Sequence, residues 1–384
     1  MKLRHPLRLA SALAIATALG ITVSASSGAT PPPGHGHGSH EALFVETDAT
    51  TGNSVLSYWR SSDGTISYAN SYQTGGNGGT ASGATADPLA SQGGLTLVNN
   101  GANLLAVNAG SNTISVFSVS GTRLQLQQQI PSGGEFPDSI AASGRFVSVV
   151  NAGGAGSVAE FSWQGNHLVP LSGQVRSLNF PSTNTNPPDF HHSAGQIGYT
   201  PNGRFLIVTT KLTTDSYDVF SVAPNGALSA NPTVTASVNP LPFSFTFDAA
   251  GNVVATEAGT SSVTTYKVNN DGSLTSLGTV GDGQTALCWI SGANGYFFGS
   301  NAGSGNVSSF TETSAGVPTL VNAVAATTHA GTIDSVVSPD GRFLYVESGG
   351  AGTIDTFAIG SGGALTQIET VFNIPVASEG LAIS

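Results

Sequence analysis

Along most of the chain, apolar residues come in runs of four to seven, rich in Val, Ile, Phe, Tyr and Thr. Gly, Asn and Asp punctuate them. No stretch of useful length carries a 3.6-residue apolar period, so the pattern predicts strands and tight turns rather than helices. The runs also repeat. Arg204-Phe205-Leu206-Ile207-Val208 is followed by a second run at 217–222 and by Gly226-Ala227-Leu228. Arg342-Phe343-Leu344-Tyr345-Val346 is followed by runs at 353–359 and by Gly363-Ala364-Leu365. Asn103-Leu104-Leu105-Ala106-Val107 is followed by 113–119. Such units begin near residues 42, 103, 145, 204, 252, 295 and 342. Four strands per unit, repeated seven times, predict an all-β fold, a seven-bladed β-propeller. A β-solenoid is the main rival, but its repeats are usually much shorter.

The order of runs predicts how the ring closes. Labelled A to D from the channel outward, the innermost strands fall at 93–98, 138–142, 193–199, 243–247, 286–290, 333–337 and 379–383. The chain then opens with a B strand at 42–46 and ends with an A strand. The C-terminal strand has one natural place, as the innermost strand of the N-terminal blade, and it leaves few sheet edges exposed.

The first 40 residues follow a different pattern. Lys2, Arg4 and Arg8 precede an apolar stretch from Leu9 to Val23, and Val23-Ser24-Ala25 offers a small-residue cleavage site. Residues 1–25 therefore read as a signal peptide. The stretch is short for a membrane anchor and runs into Ser, Gly and Pro. The expectation is a secreted, extracellular protein. Residues 26–40 read as a disordered Pro/Gly/His linker. His35, His37 and His40 there have no fold to hold them as metal ligands. The propeller occupies 41–384.

Charge narrows the partners. Loss of Lys2, Arg4 and Arg8 takes the formal net charge from −11 to −14. That disfavours nucleic acid and anionic membrane surfaces, and leaves a small molecule or a protein as the partner of a monomer. Cys288, the single cysteine, lies in an apolar run and reads as a buried, inert thiol. No metal and no cofactor are called for.

Antiparallel pairing places the start of each A strand beside the end of each B strand, at one mouth of the channel. Asp138, His191, His192, Gln284, Asp334 and Glu379 lie near the A starts. Thr47, Asn108, Asn151, Thr210, Glu257, Asn301 and Ser348 lie at the B ends. A polar ring around a concavity is the geometry of a ligand site, although Asn, Asp and Thr are also ordinary turn formers. If Glu257, Glu379, Asp138 and Asp334 share this rim with His191 and His192, their repulsion could be relieved by calcium or magnesium.

At these residues the sequence resembles the bacterial 6-phosphogluconolactonase and fungal carboxymuconate-cyclase family of lactonase-type propellers. The resemblance runs through Ser338-Pro339-Asp340-Gly341-Arg342-Phe343 and its variants. Its sharpest piece is His192-Ser193-Ala194, then Thr200-Pro201-Asn202-Gly203-Arg204, then Lys211 and Asp215. It implies lactonase chemistry, with His192 as the base and Glu257 as its partner. Ligand-binding roles fall to His191, Asn108, Asn151, Asn301, Asp138 and Glu379 of the polar ring, and the resemblance adds Lys211 and Asp215. The sequence departs from the family pattern where cations are expected. Pro240-Leu241-Pro242-Phe243 stands in place of Pro-Arg-His, and Ala302 stands in place of Arg. Neither Phe nor Ala can replace bidentate recognition of an anion. The expectation is a secreted propeller that binds a small ligand or partner at the channel mouth without phosphogluconolactonase activity. The alternative is hydrolysis or cyclisation of a low-charge lactone.

Overall fold

The computed structural model describes residues 41–181 and 183–384. The expected signal peptide, 1–25, and the expected linker, 26–40, lie outside the described residues. Seven four-stranded antiparallel sheets follow one another along the chain. Blade 1 holds strands Glu41–Glu46, Ser54–Arg60 and Ile66–Gln73. Blades 2 to 7 span 95–131, 137–177, 196–236, 242–281, 287–327 and 332–372. The last strand, Leu381–Ile383, pairs with Glu41–Glu46 through Leu43↔Ile383, Phe44↔Ala382 and Val45↔Leu381. The ring therefore closes as the run order predicts.

The core is a series of layers between neighbouring blades. Leu43, Val45 and Tyr58 of blade 1 pack on Phe343, Tyr345 and Ile354 of blade 7. Val254 and Val263 of blade 5 pack on Leu287, Ile290 and Phe310 of blade 6. Each sheet thus buries both faces, which is why its B strands read as continuous apolar runs rather than as alternating ones. Burial of each large apolar side chain is worth about 1.5–3 kcal/mol.

Several inner strands start later than the apolar pattern suggests, at Leu95, Gln196 and Leu381. The residues ahead of them belong to a kinked entry. Ala90, Phe136, Leu241, Ala286, Gly331 and Ala377 all have φ between 55° and 73°. In four blades the register then slips, between Pro137 and Ser139, Pro242 and Phe245, Leu287 and Trp289, and Thr332 and Ser335. These are β-bulges, which re-aim side chains. Asp138, Phe243, Cys288 and Ile333 sit at them.

Two blade connections are long, 74–94 and 178–195. They join each other through Ser82 N to Pro188 O at 2.8 Å and Phe190 N to Ser82 O at 3.1 Å. Together they wall one side of the channel mouth.

Candidate functional site

A cavity of about 580 Å³ opens at this mouth. Its blade side is apolar: Leu241, Phe243, Cys288, Trp289, Ala302 and Ile333 line it. Its other side is formed by the two long connections, which contribute Thr85, Asp87, Phe190 and His191. Trp289 is fully buried and meets the Phe243 ring edge-on at 4.8 Å. Its Nε1 donates to Ser91 O at 2.7 Å, on the opposite side of the ring.

Behind the cavity lies a buried cluster of charge. Lys211 is fully buried, and its Nζ donates to Ala90 O at 2.6 Å and Phe190 O at 2.7 Å. One side chain therefore pins both long connections. Lys211 has a φ of 46°. Five blades carry glycine two residues beyond the B strand (Gly110, Gly153, Gly259, Gly303, Gly350), and the remaining two carry Asp48 and Lys211. Close approach explains the glycines: a Cβ on Gly110 would lie 2.2 Å from Gly78 O. Lys211 accepts backbone strain in exchange for reach.

The acids around Lys211 are Asp138, Asp87 and Glu379. Burial pulls the Lys211 ammonium below its usual range, and these three acids oppose the shift. Burial holds the Asp138 carboxyl well above its ordinary range, opposed by Lys211. Neither Asp138 carboxyl oxygen has a hydrogen-bond partner. Glu379 accepts from Leu89 N at 2.7 Å and Ser91 N at 3.1 Å, and it is raised first by burial and then by its neighbour Asp87. Asp87 in turn accepts from Ala90 N at 2.6 Å. In an apolar setting this cluster is held by desolvation balanced against one cation.

The expected site residues divide into three groups. Lys211, Asp138 and Glu379 come together behind the cavity. His191 lines the cavity itself, where burial lowers its pKa and favours the neutral imidazole. The remainder lie elsewhere. His192 is 55% exposed and pairs through Nδ1 with Asp189 Oδ1 at 2.9 Å. Glu257 is fully buried within blade 5. It accepts from Tyr266 Oη at 2.5 Å and from Ser237 Oγ, Asn239 Nδ2 and Thr264 Oγ1, each at 2.7 Å. The pairing of His192 with Glu257 in one cavity is therefore corrected: His192 faces solvent, and all of Glu257's bonds stay near its own blade.

The B-end asparagines share the explanation of Glu257. In four blades the last B residue bonds the residue seven places on, across the B–C hairpin. Glu46 accepts from Asn53 at 2.6 Å, and Thr264 donates to Glu257. Asn108 donates to Ser115, and Asn301 to Ser308, at 2.8 Å each. Asn108 also accepts from Thr74 Oγ1 at 2.6 Å and Asn53 Nδ2 at 3.2 Å, so its amide is committed. Asn151 is fully buried and donates to Ser132 O at 3.4 Å. Asp215, with φ 48°, accepts from Leu241 N at 2.7 Å and fixes the kink before the blade 5 inner strand. These side chains build the rim and do not line the cavity. Nor do the rim acids converge on a cation: the described residues contain no group of three or more His, Cys, Asp or Glu able to hold a metal ion.

Sequence reasoning missed Asp87, because it lies in a connection with no counterpart in the repeat. The length of that connection was the available signal. Cys288 is buried, as its apolar run predicts, and it belongs to the cavity wall.

The comparisons with known proteins agree with this architecture. A family model described as a lactonase, seven-bladed β-propeller, matches residues 40–163 and 170–291. A putative 6-phosphogluconolactonase from Bacteroides fragilis is 20% identical, with a TM-score of 0.67 over 90% of this chain and 98% of that one. The periplasmic gluconolactonase PpgL of Pseudomonas aeruginosa is 19% identical, with a TM-score of 0.69 over 89% and 98%. A Lactobacillus plantarum protein is 16% identical, with a TM-score of 0.69 over 90% and 99%. No curated protein matches the sequence. Such identities carry the fold and not the reaction. With the family model spanning the first five blades and more than half of the chain, and the ring complete, the chain belongs to the lactonase family of seven-bladed β-propellers.

Proposed function

We propose that this propeller binds a small, uncharged, largely apolar molecule at the channel mouth and does not hydrolyse 6-phosphogluconolactone. One observation carries the reading. Leu241, Phe243 and Ala302, which stand where the family resemblance leads one to look for cations, all line the cavity. The nearby Lys211 cannot substitute, because its buried ammonium already donates to two carbonyls and stands among three acids that favour its charge. A phosphate or carboxylate entering here would lose its hydration and gain no cationic partner. An apolar body would displace water from Phe243, Trp289 and Ile333 at little polar cost. The N-terminal pattern supports an exported protein acting outside the cell.

Hydrolysis of a low-charge lactone is the second reading, and His191 favours it. Its imidazole lies in the cavity wall and is biased to the neutral form that a general base needs. A hydrolysis panel of neutral and phosphorylated lactones, run beside calorimetric binding of the neutral ones, tests both. Binding without turnover supports the first reading. Turnover abolished by His191→Ala supports the second. Enzyme-like turnover of 6-phosphogluconolactone overturns both.

A further inference from the structure

The channel is not one continuous space. Gln92 reaches across it, with Nε2 donating to Ile290 O and Oε1 accepting from Ile290 N, both at 3.1 Å. Trp289 makes the neighbouring crossing to Ser91 O. These three bonds form a bar between blade 6 and the segment entering blade 2. The cavity already described lies on one side of it. On the other side is a second cavity of about 330 Å³, to which all seven innermost strands contribute, from Thr96 of blade 2 round to Leu381 of blade 1.

Its chemistry differs from that of the first. Gln196, Thr246, Ser291, Asp334 and Ser335 line it, interleaved with Ile140, Ile197 and Val336. It has no cationic side chain. Its one carboxyl, Asp334, is already engaged: Oδ1 accepts from Ser335 N at 2.8 Å and Oδ2 from Leu381 N at 3.0 Å. Other polar groups are free. Gln196 Oε1 accepts from Phe245 N at 2.6 Å, but its Nε2 has no protein acceptor among the described residues, and neither does the Thr246 hydroxyl. The Ser335 hydroxyl is shared only with Ser291 Oγ at 3.0 Å.

We infer that this second compartment is a separate binding site for a small neutral polyhydroxylated molecule, a cyclic polyol or monosaccharide. An anion finds no cation here. A cation finds one carboxyl whose two oxygens are already in use. An apolar ligand would bury the Gln196 amide and the Thr246 hydroxyl unpaired. A polyol pairs with those groups and lays its C–H faces on the isoleucines. The bar makes the site independent of the first cavity.

Saturation-transfer NMR on the mature protein, with myo-inositol and glucose as probes and gluconate as the anionic control, tests this. The expected result is transfer to a neutral probe and none to gluconate. The signal falls at least fivefold in Thr246→Val and in Gln196→Glu, which keeps the acceptor for Phe245 N. It persists in Ala302→Trp, which fills the first cavity. Should either compartment variant fail to fold, Ser335→Ala supplies the same reading with a smaller change. Absence of transfer in the parent protein overturns the inference. So does transfer that survives the compartment variants, or that disappears in Ala302→Trp. The last result would place the polyol in the first cavity and leave the proposed function standing on its own test.

Discussion

The Lys211 ammonium donates to the Ala90 carbonyl at 2.6 Å, so a residue of blade 4 holds the connection that enters blade 2. The same nitrogen holds Phe190. Replacing Lys211 with Met keeps much of the volume and removes the charge. Asp138, Asp87 and Glu379 then lose their counter-charge, and two carbonyls lose their donor. We expect a loss of roughly 1–3 kcal/mol for each buried group left without its partner. Urea unfolding of the two proteins measures it. A change below about 1 kcal/mol would show that the cluster is not held by Lys211.

Stability should fall as pH rises through neutrality. Burial raises Asp334 to about 7 from an ordinary 3.8, and Glu160 to about 8 from 4.5. Both folded values lie above the unfolded ones, so both groups stay protonated longer in the fold. Their contribution is fully present below about pH 4. It is lost as pH rises toward 7 for Asp334 and 8 for Glu160, at up to about 1.4 kcal/mol per pH unit for each group. Melting temperatures from pH 4 to 9 should decline, and Asp334→Asn should flatten the part of the slope below 7. A melting temperature that climbs steadily to pH 8 contradicts this.

The closing strand is short but well buried, with Leu381 at 6% and Ala382 at 5% exposure. Truncation after Ala377 removes it together with Glu379, which holds Leu89 and Ser91. Blade 1 would lose its innermost strand and expose the edge at 41–46. We expect a loss of several kcal/mol and a broadened transition. Calorimetry that finds the truncated chain within a degree or two of the parent would mean the ring is held without that strand.

Glu257→Gln separates structure from chemistry. The carboxyl group accepts five side-chain bonds in and beside blade 5, so disturbing them should cost about 1–3 kcal/mol. Ligand affinity at the channel mouth and any lactone turnover should stay within about twofold. A drop of about a hundredfold or more in turnover with unchanged stability would return Glu257 to the reaction.

The blades, their number and the mode of closure were legible because each depends on a pattern repeated seven times. The site was only partly legible. Asp138 and Glu379 were found because they stand at strand ends, where pairing rules locate them, and Lys211 through the resemblance that carries His192 and Asp215. Glu257 and Asn301 stand at equivalent strand ends and turn the other way, toward the hairpin residue seven places on. Sequence position gives the height of a side chain along the channel but not the side of the strand it leaves by, and a bulge such as the one at Asp138 reverses that side locally. His191 was placed by its position near the start of an inner strand, whereas Asp87 lies in a connection outside the repeat, so no period could place it.

A ring of seven similar blades treats every direction around its axis alike, and by itself it would offer a ligand a round hole. The connections at 74–94 and 178–195 break that equivalence. They make their side of the mouth unlike the rest, and a few side chains, among them Lys211, Trp289 and Glu379, tie them to the blades. Ligand preference in such a molecule can change by rewriting two surface segments while the sheets beneath keep their pairing. Exchanging these segments between relatives would therefore transplant recognition without rebuilding the scaffold.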